Sequence, residues 1–348
     1  MSLYDSVRDL RLVVDGYELE GLALQARPEF LRKTTVVRLH GAGEEGIGED
    51  VTYDAEEHDR QQTRGAALPL SGSWTIGSFS HHLATQPLFD PPPERDVYAH
   101  YRRWAFESAA LDLALRQAGS SLGDAVGREV EPIEFVVSMS LGEPPSTDRF
   151  DAWLALYPDL RFKLDANPEW TDELVAGFAA TGAVDSVDFK GHYRGTSVDT
   201  PADAALYRRV AEGLPEAWLE DPALTDETEP VLEPYRDRVT WDAVIHSVED
   251  IESLPWRPRT VNVKPSRFGS IERLFAAYDY CESRGIGAYG GGQWELGPGR
   301  GQIQLLASLF HPGTPNDVAP REFNLDPRPG LPTSPLAVRA RATGFLAE

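Results

Sequence analysis

Residues 217–264 read AWLEDPALTDETEPVLEPYRDRVTWDAVIHSVEDIESLPWRPRTVNVK. Three short apolar runs, 217–221, 239–244 and 260–264, are separated by polar stretches, and each carries an acid or a lysine. Runs this short, bounded by proline and charge, suit buried parallel strands whose connections cross back as helices. The same texture extends both ways: 135–141, 161–165 and 186–190 lie upstream, 287–291 and 316–319 downstream. TDELVAGFAATG (171–182), DAALYRRVAEGL (203–214) and IERLFAAYDYCESRG (271–285) supply helical patterns between them. Eight strands with crossover helices predict a closed α/β barrel whose chemistry sits at the C-terminal strand ends. An open doubly wound sheet would need a nucleotide fingerprint, which the sequence lacks.

The chain has 348 residues, with 33 Lys+Arg against 56 Asp+Glu, a formal net charge of -23 and 41% hydrophobic residues. That is ample material for a sizeable core. The acidic balance argues against nucleic acid, which is held through clustered Lys and Arg, and against an anionic membrane surface. No apolar run nears the roughly 18 residues of a membrane span, and MSLYDSVRDL lacks a signal-peptide core, so the expected location is cytoplasmic. The single cysteine, Cys281, excludes an intramolecular disulfide and a cysteine-built zinc site. It reads as a packed small side chain.

The N-terminal part reads as antiparallel sheet. Strands at 10–14 and 17–24 flank Asp15-Gly16, a hairpin signal, and 34–39 supplies a third. The glycines of HGAGEEGIGED (40–50) read as turn residues, since no GKS or GKT follows. Through RRWAFESAALDLALRQAG (102–119), Trp104, Ser108, Leu111 and Leu115 recur at helical spacing and predict one amphipathic helix.

Charge gathers at the predicted strand ends: Lys163 and Asp165, Asp188 and Lys190, Glu220, Asp242, then Lys264. Residues two apart on a strand share a face, here the barrel mouth. Any one of them could be a surface charge or a structural ion pair, but five successive strand ends argue for a site. Asp188, Glu220 and Asp242 form a hard-cation site suited to Mg2+, which takes oxygen ligands. A cation there would offset carboxylate repulsion and stabilise an enolate made from a substrate carboxylate. Lysines crowded by burial and other cations suit proton abstraction. The histidines His81, His82, His192 and His246 fall in loops or in the N-terminal region, without metal-ligand spacing.

Several segments, in collinear order over nearly the whole chain, resemble the enolase superfamily, in its muconate lactonizing enzyme and o-succinylbenzoate synthase branch (the mandelate racemase/muconate lactonizing enzyme family). VRLHGAGEEGIGED resembles its Gly-rich specificity loop, ending here in Gly46-Ile47-Gly48-Glu49. ESAALDLALRQAGSSLGDAVG (107–127) resembles the helix and turn before the barrel, and WLEDP (218–222) the fourth-strand metal motif. VNVKPSRFGSI (261–271) resembles the sixth strand with its catalytic lysine, GGQWELGPGRG (291–301) the seventh-strand segment, and PNDVAP the last strand. The resemblance implies a modified TIM (β/α)7β-barrel over 132–321. It also implies an N-terminal α+β capping domain over 1–131, to which 322–348 returns.

It further implies a lyase or isomerase, of cycloisomerase, dehydratase or racemase type, that abstracts a proton α to a carboxylate and uses Mg2+. Lys264 would be the base or the cation stabilising the enolate, and Lys163 would contact the substrate carboxylate. Asp165 or Lys190 would supply the second acid/base, with Asn262, Gln293 and Glu295 lining the pocket. The expected partner is a small carboxylate-bearing substrate, and family members often form homo-oligomers. Three departures matter, the first on the fifth strand, where Trp241-Asp242-Ala243 has alanine in place of the glutamate of the family's common Asp-Glu pair and leaves Asp242 as the ligand. The family's second strand ends in Lys-x-Lys, where this chain has Lys163-Leu164-Asp165, and its third has asparagine where this chain has Lys190. LDANPEW also resembles the third-strand Asp-x-Asn motif, which keeps Asp165 as an alternative metal ligand to Asp188. These departures leave two rivals: a non-catalytic ligand-binding member of the fold, and a metal-free Schiff-base enzyme using Lys190 or Lys264.

Overall fold

The computed structural model describes residues 2–27, 30–196 and 198–347. The first five strands are β1 (Arg11–Val14), β2 (Gly16–Arg27), β3 (Phe30–Gly41), β4 (Glu44–Asp50) and β5 (Gly72–Thr75). β2, β3 and β4 form an antiparallel meander. β1 pairs with β5, not with β2, so Asp15-Gly16 is a corner between two sheets and not the expected hairpin. The corner is fixed from elsewhere: Asp15 N donates to His40 O (2.7 Å), and its carboxylate accepts from Ala42 N (3.2 Å).

Helices α1 (Ala55–Arg64), α2 (Ile76–Ala84) and α3 (Asp96–Gln117) complete this region. α3 is longer than the sequence pattern suggested and is buried almost all round from Tyr98 to Leu115. It is a central helix, not an amphipathic surface one. Gly46 and Gly48 explain how β4 lies so close to it. A Cβ on Gly46 would stand 2.3 Å from Ala109 O, and one on Gly48 2.1 Å from Ala105 O. These glycines serve sheet-on-helix contact, where the sequence suggested turns.

The barrel strands are β6 (Val137–Ser140), β7 (Phe162–Asp165), β8 (Val184–Asp188), β9 (Trp218–Glu220), β10 (Val239–Thr240), β11 (Thr260–Val263) and β12 (Gly287–Gly290). β6 to β10 are parallel neighbours in chain order, as are β11 and β12. Asn262 N donates to Trp241 O (3.0 Å) and joins the two groups. The ring closes through two residues, with parallel bridges Phe135–Asn316 and Gly291–Asp317. All eight strand positions read from sequence are therefore in the ring. Val187, Leu219, Val239 and Val261 are fully buried along it.

Two buried side chains fasten the sheet region to the loop after β12. Arg32, 1% exposed, donates to Gln293 O (2.8 Å) and Trp294 O (3.2 Å) on one side, and to Val51 O (2.8 Å) and Thr52 O (2.6 Å) on the other. Glu49 accepts from Leu296 N (2.7 Å), Gly297 N (3.0 Å) and Gly299 N (2.9 Å). The end of the chain also crosses back: Phe345 N donates to Asp112 Oδ1 on α3 (2.6 Å), and its ring meets Trp104 edge-on. Among the described residues no helix is long and apolar enough to cross a membrane.

Candidate active site

At the C-terminal ends of β8, β9 and the segment after β10, Asp188, Glu220 and Asp242 each bring a carboxylate oxygen within 4.8 Å of the others. All three are fully buried. Each is held by a cation. Lys163 Nζ bonds Glu220 Oε1 and lies 3.3 Å from Asp188 Oδ2. Lys190 Nζ donates to Asp188 Oδ2 (2.5 Å), and Lys264 Nζ to Asp242 Oδ2 (2.7 Å). Asp165 stands apart from the triad, with its Oδ1 3.1 Å from Lys190 Nζ. Counting strands along the chain thus places Asp188, not Asp165, beside Glu220.

The site contains residues that the sequence reading did not single out. Arg267 places Nη1 2.9 Å from Asp242 Oδ1 and donates to Tyr193 OH (3.0 Å), which itself donates to Asp242 Oδ2 (3.1 Å). Tyr289 OH donates to Glu220 Oε2 (2.7 Å). Asp221 turns under the site with φ 49° and accepts from the backbone N of Asp242 (2.7 Å) and Ala243 (2.8 Å). Asp317, on the closing segment, lies 3.7 Å from Lys163 Nζ. Arg267 was findable: it follows Lys264 by three residues, the spacing that returns a side chain to one face of the short helix Pro265–Phe268.

The pocket residues read from sequence divide into two groups. Asn262 lies on β11 two residues before Lys264, and neither its amide oxygen nor its nitrogen has a partner. Gly291 makes room for both side chains, since a Cβ there would stand 2.5 Å from Lys264 Cε and 2.8 Å from Asn262 Oδ1. Gln293 leaves Nε2 unpartnered. Glu295, by contrast, braces its own loop: Oε1 accepts from Gln293 N (2.6 Å), and Oε2 pairs with Arg300 Nη2 (3.1 Å). Trp294, at φ 57°, stands against Phe30 at the rim. Cys281 is buried outside the site, and burial pushes its thiol up to about 12, as suits a packed side chain.

The electrostatics leave room for one more cation. Six carboxyl groups (Asp165, Asp188, Glu220, Asp221, Asp242 and Asp317) face four cations (Lys163, Lys190, Lys264 and Arg267). Burial raises Glu220 to about 8; Lys163 opposes the rise, and Asp188 and Asp242 add to it. Burial and then Asp242 raise Asp221 to about 7. Burial also presses on Asp188, but Lys190 and Lys163 outweigh it and hold that group at about 2. Asp242 is held well below the usual carboxylate range, because Arg267 and Lys264 overcome burial. Buried like charges cannot all ionise together, and Glu220 keeps the proton.

An all-oxygen donor set, short of two positive charges and with Asp242 Oδ1 lacking an aligned hydrogen bond, fits a divalent cation. Binding must displace the Glu220 proton, so cation affinity should rise about tenfold per pH unit toward about pH 8. Calorimetric titration between about pH 6 and 8 checks this, and a flat profile would remove Glu220 from the ligand set. Without the cation the raised value has the opposite effect on the fold. The folded state binds the extra proton, so stability falls as pH climbs from the ordinary carboxylate range to about 8.

Lys163 and Lys190 are both held well above the ordinary lysine range. Burial opposes this, but Glu220 and Asp188 prevail at the first, and Asp165 and Asp188 at the second. The sequence argument that crowding lowers lysine values does not apply to these two. Their neighbours are carboxylates, so both rest in the protonated form.

Comparison with known proteins places this geometry. The N-succinylamino acid racemase of Thermus thermophilus is 26% identical over 305 residues, spanning 83% of this chain and 78% of that protein. The o-succinylbenzoate synthase of Edwardsiella ictaluri is 24% identical over 320 residues, spanning 88% and 86%. Among solved structures, muconate cycloisomerase from Pseudomonas fluorescens superposes with a TM-score of 0.64 at 19% identity, covering 97% of this chain and 93% of that one. A dipeptide epimerase from Methylococcus capsulatus, complexed with a Mg ion, gives 0.63 at 17% identity, covering 88% and 89%. Family models described as the N-terminal and C-terminal domains of a domain of unknown function (DUF8230) match residues 5–125 and 129–325. The chain therefore belongs to the DUF8230 family, and carries it on the capped-barrel fold of the mandelate racemase/muconate lactonizing enzyme group of the enolase superfamily.

Proposed function

We propose that the chain is an enzyme that removes a proton α to the carboxylate of a small substrate. The observation that carries this reading is the buried triad Asp188, Glu220 and Asp242 with Lys264 and Lys163 ranged on it at the barrel mouth. The triad would hold the cation, for which magnesium is our choice because every donor is a carboxylate oxygen. A bound divalent cation supplies Lewis-acid stabilisation for charge developing on a substrate carboxylate.

The chain's own residues do the rest. Lys264 takes the α-proton, or stabilises the charge its removal leaves. Lys163, a fixed cation between β7 and the triad, contacts the substrate carboxylate. Lys190, held protonated by Asp165 and Asp188, returns a proton from the third-strand side, in the place of the family's second-strand lysine. The same protonation makes Lys190 a poor amine nucleophile and counts against the Schiff-base alternative. Asn262 and Gln293 offer unpartnered amide groups for the remainder of the substrate.

Incubation with a panel of small carboxylic acids in deuterium oxide tests the reading. Deuterium should enter the α-position of a substrate, stop on chelation with EDTA, and resume when magnesium is restored. Exchange that EDTA leaves untouched would exclude a role for the cation.

A further inference from the structure

The backbone leaves β8 at Asp188, buries Phe189, and turns at Lys190 into the left-handed region with φ 54°. That turn sends Lys190 back over the residue it has just left. Its N–H donates to Asp188 Oδ1 (2.9 Å) and its ammonium to Oδ2 (2.5 Å), so one residue takes both oxygens of one carboxylate. The other two members of the triad are served differently. Glu220 is held by Lys163 and Tyr289, Asp242 by Lys264, Arg267 and Tyr193. Asp188 takes its nearer cation from the turn that directly follows its own strand, with Lys163 of β7 3.3 Å from the same Oδ2. Nearby, Asp165 Oδ1 is buried without a hydrogen bond although it lies 3.1 Å from the Lys190 ammonium. The Tyr193 ring flanks the same ammonium at 5.1 Å.

We infer that Lys190 is an internal competitor for the cation site: its ammonium holds Asp188 until a divalent cation binds, and Asp165 receives the ammonium when it is displaced. This rests on the cation site proposed above. Asp188 Oδ2 already carries two ammonium groups, Lys190 at 2.5 Å and Lys163 at 3.3 Å, so a divalent cation gains that oxygen only when the closer one withdraws, and Lys190 is the one whose other carboxylate, Asp165, lies outside the triad. Asp165 lies within reach of the ammonium as it stands and has an oxygen free to accept it. A ligand that binds only when an internal contact is open has its affinity reduced by the fraction of time the contact is open. Lys190 thus weakens cation binding in this chain, and Asp165 limits the penalty by giving the ammonium somewhere to go.

The test is calorimetric titration of EDTA-stripped protein with magnesium chloride, repeated with manganese chloride and free manganese followed by electron paramagnetic resonance. Lys190→Met should tighten binding by about tenfold or more. Asp165→Asn should weaken binding by a similar factor while Lys190 is present, and should have no effect in the Lys190→Met background. That non-additivity is what a displaced tether produces. Equal losses from Asp165→Asn in both backgrounds would mean a direct ligand or a through-space charge effect, and would overturn the inference. So would a folded Lys190→Met protein that binds no more tightly than the parent; parental binding would then leave the proposed function standing. Absence of binding in the parent and every variant would remove both. If Lys190→Met does not fold, Lys190→Gln, which keeps a donor for Asp188 without the charge, should show the same gain.

Discussion

Lys264→Ala should fold like the parent and lose α-proton exchange by about 100- to 10,000-fold, the range typical of general acid–base help. The fold should survive because Asp242 does not depend on this lysine alone. Arg267 Nη1 lies 2.9 Å from Asp242 Oδ1, and Tyr193 donates to Oδ2 at 3.1 Å, so the carboxylate keeps a cation and a donor. A buried carboxylate left with no cation would cost roughly 3–5 kcal/mol, and the variant should fall well short of that. Thermal unfolding and deuterium exchange on the same preparation separate the two roles. A folded variant with undiminished exchange would exclude Lys264 from the chemistry. A variant that unfolds would make it a structural partner of Asp242.

Glu49→Ala should destabilise the protein by roughly 3–5 kcal/mol, since each buried N–H left without an acceptor costs about 1–3 kcal/mol and three are involved. Glu49→Gln, which keeps one carbonyl acceptor and adds no charge, should lose only about 1–2 kcal/mol. The conservative loss is small because burial, with Glu295 adding to it, already pushes the Glu49 carboxyl upward. Urea unfolding of the two variants gives both numbers. The alanine variant should also raise KM, because the loop it releases carries Gln293 and Trp294 at the rim of the pocket. An alanine variant as stable as the parent would show that the loop after β12 is held without Glu49, by Arg32 and by Arg321, which donates to Leu296 O (2.6 Å).

The barrel was legible because its rules act on short stretches. A buried strand of four or five residues, ending in a charge and followed by a helical pattern, is written locally, and the eight positions recur in order. Asp188, Glu220, Asp242, Lys163 and Lys264 were legible for the same reason, as period-two positions at strand ends. Tyr193 and Asp317 were not, because a loop and a closing bridge deliver them, and neither has a facing direction fixed by periodicity. Asp15-Gly16 misled because the dipeptide specifies a sharp bend and not the strand that follows as partner. The glycines at 46 and 48 misled because the reason for them, the backbone of α3, lies some sixty residues away along the chain.

The seam of the ring has a consequence for how the molecule assembles. Asn316 takes the place of most of a strand: its side-chain nitrogen donates to Glu134 O (2.9 Å), His311 O (3.0 Å) and Thr314 O (2.8 Å), and its oxygen accepts from Gly290 N (2.6 Å). The residues it joins to β6 are separated from that strand by most of the barrel, so this contact carries the largest loop-closure entropy in the ring and suits a late folding event. Asp317, the next residue, lies 3.7 Å from Lys163 Nζ, so its place in the pocket rests on the same seam. A chain that has formed seven strands but not the seam therefore has a barrel without its full complement of charge. Closure of the ring and completion of the charge around Lys163 depend on the same two residues of the seam, Asn316 and Asp317.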